Sequence, residues 1–332
     1  MIKKECFTAE WIEQVSSELH YNDKNLIEKV IRALSLLEML VKAGCPLVFK
    51  GGTALMLILG KSAHRLSIDI DLICPPGTNI EDYLKSFADF GFINLELVER
   101  KQRDDADIPK SHSKFFYQIA YRNDTDAQSY ILLDVLYEDI HYFRTQQIAI
   151  NCPFIRLEGK PLMVTVPSAE DILGDKLTAF APNTTGIPYY KNGRSCSMEI
   201  AKQLYDVGRL FENVSDLQIT KEAFRKIAVV ELSYRSFGTD IGQVFNDIRQ
   251  TALCISTRGK AGEGDFDLIQ DGIIRVKSFM YKQRYLIDHA IIDAARAAYL
   301  ATLIEKGINE IESYSNNPAD IKDMVILSLI HI

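Results

Sequence analysis

Hydrophobic residues follow two different periods along the first half of the chain. In LIEKVIRALSLLEMLVKA apolar side chains recur at helical spacing, and with the preceding segment they predict two helices between residues 8 and 43, the second capped by Asn22 or Asp23. A shorter helix is predicted in ALMLILG, ended by Gly60, and another between Asn79 and Phe90. Other apolar stretches are typical of strands: PLVFK, SIDIDLI, KFFYQIAYRN, SYILLDVLYE and PLMVTVP.

The pattern becomes helical after Pro167. Before that point, the polar segment ELVERKQRDDADIPKSHSK is predicted to be a connection, and Asn123–Asp124 a turn. Ser168 and Asp171 have the spacing of a capping box, which predicts a helix through residue 181 and then the loop PNTTGIPYYKNGRSCS. We therefore predict an α+β protein with an α/β domain, including the N-terminal helices, followed by an all-helical domain. The predicted ranges are 1–165 and 166–332 for the domains, and Met198–Glu212, Phe266–Tyr281 and Tyr285–Lys306 for later helices.

Composition narrows the function classes. The 332 residues carry a formal net charge of −7, which argues against a protein that coats nucleic acid through a basic surface. The 6 cysteines are scattered without a C-x-x-C motif, which favours reduced thiols in the cytosol. No apolar stretch reaches membrane-spanning length, so we expect a cytoplasmic protein without a membrane partner. The apolar tail MVILSLIHI is predicted to be a packed last element or a partner contact.

Two aspartates interrupt the strand SIDIDLI. Asp69 and Asp71 are two residues apart and therefore share one face of that strand. Ile68, Ile70 and Leu72 face the other way. A third acid, Asp134, lies in the apolar stretch ILLDVLY and can face the same point if the two strands are neighbours. Clustered carboxylates repel each other unless cations neutralise them, and hard oxygen ligands suit magnesium. The alternative is that these are charges of an edge strand that face water.

The sequence KGGT at positions 50–53 supplies a second element of a ligand site. Gly51 and Gly52 allow a close approach of the backbone, and the first N–H groups of the following helix attract anions. The Thr53 hydroxyl can add a phosphate contact. Arg65 can bind phosphate or orient an aspartate. The simpler alternative is a tight turn between a strand and a helix.

The order of these motifs resembles the nucleotidyltransferase superfamily related to DNA polymerase β. The spaced pattern of KGGT and RLSIDID (65–71) is similar to the AbiEii/AbiGii abortive-infection toxins of bacterial type IV toxin–antitoxin systems. GDKLTAF, which contains Lys176, and EIAKQLYDVGRL, which contains Lys202 and Asp206, extend the resemblance to about residues 47–210. This sequence departs from the pattern in having Thr53 where Ser is frequent, and Gln203 where some members have charge.

The resemblance implies a polymerase β-like domain, a mixed sheet flanked by helices, and transfer of a nucleotide from an NTP to an acceptor hydroxyl. The acceptor is RNA, including tRNA 3′ ends, for some members, and a cognate antitoxin is implied as a partner. Asp69 and Asp71 would bind two magnesium ions, and Asp134 would bind one of them and help to deprotonate the acceptor. The remaining implied contacts to the nucleotide come from Gly51, Gly52, Thr53, Arg65, Lys176, Lys202 and Asp206.

Several alternatives stay open at this level. Asp206 can hold Lys176 or contact the base or ribose, and the stripe of Lys202, Asp206 and Arg209 can equally be a solvated helix face. The tyrosines and basic residues of the loop at 189–194 can contact RNA or simply be mobile. At the level of function, the rivals are a nucleotidyltransferase acting on a small molecule and a non-catalytic nucleotide-binding protein. A Rossmann oxidoreductase is disfavoured because no G-x-G-x-x-G follows a first strand.

Overall fold

The computed structural model describes residues 1–98, 110–121, 127–214, 216–235 and 240–311. The chain forms two compact units, Met1–Ile172 with Lys277–Arg284, and Leu173–Val276 with the described residues from Tyr285 onward. The turn predicted at Asn123–Asp124, the apolar tail and the middle of the predicted polar connection lie outside the described residues. No helix within the described ranges is both long and apolar enough to cross a membrane.

A mixed sheet forms the centre of the first unit. Its five strands lie in the order β1-β2-β5-β4-β3, with β2 and β5 parallel and the other neighbours antiparallel. Two more strands, β6 and β7, form a separate antiparallel pair. The mixed sheet predicted from the resemblance is therefore confirmed. The strands are β1 (Val48–Lys50), β2 (Ile70–Cys74), β3 (Asn94–Val98), β4 (Lys110–Gln118), β5 (Gln128–Tyr137), β6 (Thr145–Ala149) and β7 (Met163–Pro167).

One face of this sheet is buried in the core of the first unit. Along β5, Ile131, Leu133 and Val135 are buried, whereas the residues between them are partly exposed. The apolar stripe of the second helix belongs to the same core, and the Asp23 carboxylate caps that helix by accepting a hydrogen bond from the Leu26 N–H at 3.0 Å. The other face of the sheet therefore remains available for a site. The helices are α1 (Ala9–Glu18), α2 (Lys24–Lys42) and α3 (Gly51–Leu59).

Two predictions for the first unit are wrong. Asn79–Phe90 is not an α-helix but two short 3₁₀ segments, Ile80–Tyr83 and Phe87–Phe90, whose apolar side chains recur every third residue. The predicted polar connection, residues 96–114, contains the last three residues of β3 and the first half of β4. Its alternation was concealed because the outward face of β4 carries polar side chains and the inward face carries Ser113 before Phe115. The pattern SHS is therefore polar on both faces.

The second unit is helical, as predicted. Ser168 accepts a hydrogen bond from the Asp171 N–H at 3.1 Å, which is half of the predicted capping box. The helix predicted over Phe266–Tyr281 ends at Val276, because Lys277–Arg284 belongs to the first unit. The predicted loop contains the hairpin of β8 (Tyr190–Lys191) and β9 (Arg194–Ser195). The helices are α4 (Ala169–Ala179), which begins in the first unit, α5 (Ser197–Phe211), α6 (Leu217–Tyr234), α7 (Ile241–Ser256), α8 (Phe266–Val276) and α9 (Ile287–Lys306).

Candidate active site

The two glycines lie where β1 ends and α3 begins. Gly51 has a φ of +80°, and a Cβ at this position would lie 2.1 Å from Asp71 Oδ2. A Cβ on Gly52 would lie 2.6 Å from Ser67 Oγ and 2.9 Å from the Arg65 guanidinium. Both positions therefore require glycine, because the backbone turns directly against the side chains of the Asp-x-Asp segment. The first N–H groups of α3 thus begin beside an aspartate.

A row of polar side chains crosses the available face of the sheet. The register pairs Lys50 with Asp71, Asp71 with Asp134, and Asp134 with His112. Residues directly opposite each other point to the same face, and neighbouring strands lie about 4.8 Å apart. The structure therefore brings Asp71 and Asp134 side by side on β2 and β5, with Lys50 and His112 at the two ends of the row. We call these four residues the acid row.

Asp69 and Thr53 are tied together beside the acid row. Asp69 is the residue before β2, and its backbone carbonyl accepts a hydrogen bond from the Thr53 hydroxyl at 2.7 Å. Thr53 is completely buried. Its hydroxyl therefore anchors α3 to the aspartate segment rather than pointing to solvent.

His112 is a site residue that the sequence analysis missed. Its Nδ1 lies 2.5 Å from Asp134 Oδ1, and the two side chains are 11% and 37% exposed. The contact with His112 holds the Asp134 carboxylate in one orientation. The sequence contains no clear signal for His112, because KSHSK is polar at every position and the pairing with Asp134 follows only from the register of β4 and β5.

Two basic side chains, Lys29 and Arg65, lie near the acidic residues and the glycine turn of the site. Burial lowers the pKa of Lys29 on α2, and the negative charges of Asp69 and Asp23 oppose that shift. Arg65 is buried, donates from Nη1 to the Leu66 carbonyl at 3.0 Å, and places its other terminal nitrogen beside Gly52. Lys29 was also missed, because it is distant in sequence and meets Asp69 only in the folded protein.

Lys176 and Asp206 form a buried ion pair in the second unit. Lys176 Nζ on α4 lies 3.0 Å from Asp206 Oδ2 on α5 and donates to Gln203 Oε1 at 2.9 Å. Their side chains are only 9% and 2% exposed. Of the two predicted alternatives for Asp206, the structure thus contains the contact with Lys176. Lys202, one turn before Asp206, is partly exposed.

The rest of that helix stripe and the hairpin have separate environments. Arg209 pairs with Glu212 at 2.8 Å and with the buried Asp293 at 3.5 Å, so it is part of the packing of α5 against α9. At the hairpin Tyr190, Lys191 and Arg194 are exposed. Its turn is formed by Asn192 and Gly193, both at positive φ, as tight hairpins require.

The donor set is compatible with magnesium but does not form a complete cage. Within the part of the chain that the structure describes, no group of three or more His, Cys, Asp or Glu side chains is arranged to hold a metal ion. The acid row nevertheless contains two neighbouring carboxylates beside helix-start N–H groups. Magnesium in nucleotide sites is usually held by one or two carboxylates together with phosphate oxygens and waters.

Comparisons with known proteins point to one family. Residues 34–298 match the family model described as nucleotidyl transferase AbiEii toxin, type IV TA system. A search of curated proteins found no match. Among solved structures, JHP933 from Helicobacter pylori is similar at 15% identity and TM-score 0.42, covering 93% of this chain and 95% of that chain. MenT4, a nucleotidyltransferase toxin from Mycobacterium tuberculosis, is similar at 13% identity and TM-score 0.44, covering 89% of both chains.

Proposed function

This chain belongs to the AbiEii family of nucleotidyltransferase toxins of type IV toxin–antitoxin systems, and from that premise we propose its reaction in detail. The protein transfers an NMP from an NTP to an acceptor hydroxyl on RNA, with tRNA as the expected acceptor and magnesium as the cofactor. Pyrophosphate leaves. The cognate antitoxin of the pair is its expected protein partner.

The observation that carries this proposal is the acid row beside the glycine turn. Asp71 and Asp134 are direct neighbours on parallel strands, and Gly51 allows the start of α3 to approach Asp71. Magnesium held by Asp69, Asp71 and Asp134 would neutralise charge on the phosphates and on the attacking oxygen. The backbone N–H groups of Gly51 and Gly52 would donate hydrogen bonds to phosphate oxygens, because the first amides of a helix lack partners within the helix, and Thr53 would hold the start of α3 in place through Asp69.

The basic residues and their partners have different proposed roles in the site. Arg65 lies beside Gly52, which supports the proposal that it contacts a phosphate held at the turn. His112 orients Asp134, and Asp134 receives the proton of the acceptor hydroxyl. Lys176 is proposed to meet the triphosphate, with Asp206 and Gln203 fixing the direction of its ammonium group. Lys202, which is partly exposed, is a proposed nucleotide contact, and the buried Asp206 is proposed to serve the nucleotide through its ion pair with Lys176.

The test is a labelling experiment. Purified protein is incubated with magnesium, each α-labelled NTP in turn, and total bacterial RNA, and the products are separated on a denaturing gel. We expect label at the size of tRNA from one NTP, and none with Asp69→Ala/Asp71→Ala. Pyrophosphate release with the label on a small molecule would refute the RNA acceptor. NTP binding without pyrophosphate release would refute the transferase mechanism.

The proposed role as a toxin has a separate test in cells. Expression of the wild-type chain without its antitoxin is expected to arrest growth, and Asp69→Ala is expected to remove the arrest. Folding of the variant is checked by its thermal transition. A folded Asp69→Ala protein that still arrests growth would show that toxicity does not depend on the Asp69 carboxylate.

A further inference from the structure

An aromatic pair lies on the same sheet face as the acid row. The register pairs Tyr130 on β5 with Phe116 on β4, and the ring centroids are 5.7 Å apart with the planes at 56°. Tyr130 is 40% exposed, and Phe116 is partly exposed. An exposed tyrosine tilted against a second ring adds little to the core, whose buried residues on these strands face the other side. We call Tyr130 and Phe116 the aromatic patch.

Two ammonium groups adjoin the aromatic patch. Lys29 Nζ lies 5.5 Å and Lys114 Nζ 5.6 Å from the centroid of the Tyr130 ring. Lys114 also forms an ion pair with Glu96 at 3.3 Å, and Lys29 lies in the field of Asp69 and Asp23. The patch therefore combines ring faces with a modest positive charge. That combination suits a nucleic acid strand, whose bases stack on aromatic side chains while its phosphates attract lysines.

The aromatic patch lies on the same two strands, β4 and β5, as His112 and Asp134 of the acid row. Tyr130 and Asp134 are four residues apart on β5 and face the same side, so they are separated by about 13 Å along the strand. A few nucleotides of an extended single strand can span this distance. An acceptor whose terminal hydroxyl lies at Asp134 could thus place a preceding base on Tyr130.

We propose that the aromatic patch binds the single-stranded 3′ end of the acceptor RNA, with a base stacked on Tyr130 and the adjacent phosphates near Lys29 and Lys114. This inference rests on the proposed transfer to RNA and adds the site that holds the acceptor. It also fits the net charge of −7, because stacking supplies affinity without a large basic surface. The salt dependence of RNA binding is accordingly expected to be shallow.

The test is RNA binding in the absence of NTP, measured by fluorescence anisotropy with a labelled single-stranded RNA oligonucleotide that ends in a free 3′ hydroxyl. Tyr130→Ala is expected to weaken binding about tenfold, and Tyr130→Phe to leave it nearly unchanged, because only the ring is needed for stacking. Lys114→Gln is expected to reduce the salt slope by about one. Binding of NTP with magnesium, followed by calorimetry, should stay at the wild-type value in Tyr130→Ala.

The matched control is Phe143→Ala, which removes an aromatic side chain that is 49% exposed in the first unit and lies outside the five-stranded sheet. We expect it to bind RNA like the wild type. If the wild type binds RNA and Tyr130→Ala binds equally well, the aromatic patch is refuted while transfer to RNA stands. If the wild type binds no RNA but releases pyrophosphate and transfers the nucleotide to a small molecule, the patch is refuted together with the RNA acceptor. Tyr130-dependent binding without any nucleotide transfer would support the patch and refute the proposed reaction.

Discussion

The two regions that carry the predicted site residues are built in opposite ways. In the first unit, Asp69, Asp71 and Asp134 are partly exposed on one side of a sheet. In the second unit, Lys176 and Asp206 are buried against each other, and Gln203 completes the contact. Partly exposed carboxylates contribute little to folding and can exchange water for a ligand. A buried pair must keep both partners, because a single buried charge is costly.

The strongest test of this comparison removes one half of the buried pair. Lys176→Met leaves the Asp206 carboxylate in the interior, so we expect the free energy of unfolding of the second unit to fall by about 3–5 kcal/mol. The double variant Lys176→Met/Asp206→Leu should recover most of that loss, since no unpaired charge remains. Urea denaturation of the three proteins measures both changes. A loss as large in the double variant as in Lys176→Met would show that packing, not the ion pair, determines stability here.

The same double variant separates stability from function. If Lys176 contacts the triphosphate, the refolded double variant has no nucleotidyl transfer although its unfolding transition is near that of the wild type. Normal transfer by this variant would restrict Lys176 to a structural role.

In the acid row we expect the reverse balance of effects. Asp71→Asn keeps the shape of the side chain and removes the charge, so nucleotidyl transfer should fall on the order of a hundred- to a thousandfold. The free energy of unfolding should change by less than about 0.5 kcal/mol, because the carboxylate is partly exposed. Initial rates at saturating magnesium and a thermal scan test the two statements. A strongly destabilised variant would contradict the distinction between the two regions.

The sequence predicted the main acidic residues of the first region, but not the neighbouring residues that interact with them. The resemblance carried by KGGT and RLSIDID predicted that the glycines and the aspartates belong to one site. The apolar context of ILLDVLY predicted that Asp134 lies on a strand. The structure brings these segments together in neighbouring strands. His112 was not found, because polar residues on both faces of SHS hide the strand period. Lys29 could not be found, because its electrostatic interaction with Asp69 depends on how α2 packs against the sheet.

For the second region the sequence left two alternatives for Asp206, and only packing decides between them. The helical spacing of Lys202, Asp206 and Arg209 is compatible with a solvated face, yet Asp206 is buried and Arg209 contacts Asp293. Helix periodicity specifies which residues share a face but not which neighbouring helix covers it. The ends of helices were predicted less well than their centres, as at Val276, where the chain returns to the first unit.

A smaller effect is expected at the glycine turn. Gly51→Ala forces a Cβ to 2.1 Å from Asp71 Oδ2 in a backbone conformation with φ +80°, so we expect a loss of about 1–3 kcal/mol in stability together with reduced NTP binding. The matched control is Gly77→Ala, which has φ +83° but no atom within 4 Å of the added Cβ. The difference between the two variants, measured by urea denaturation and calorimetry, isolates the contact with Asp71. Equal losses in both would mean that backbone strain alone requires Gly51.

The smallest of these effects concerns the orientation of Asp134. His112→Ala removes the contact at 2.5 Å but leaves every carboxylate in place, so we expect a rise of about tenfold in the magnesium concentration that gives half-maximal transfer. The rate at saturating magnesium should recover most of its wild-type value. His141→Ala is the matched control, because its imidazole lies 3.7 Å from Glu138 in the same unit, away from the acid row. An unchanged magnesium dependence in His112→Ala would show that Asp134 reaches its working orientation without this histidine.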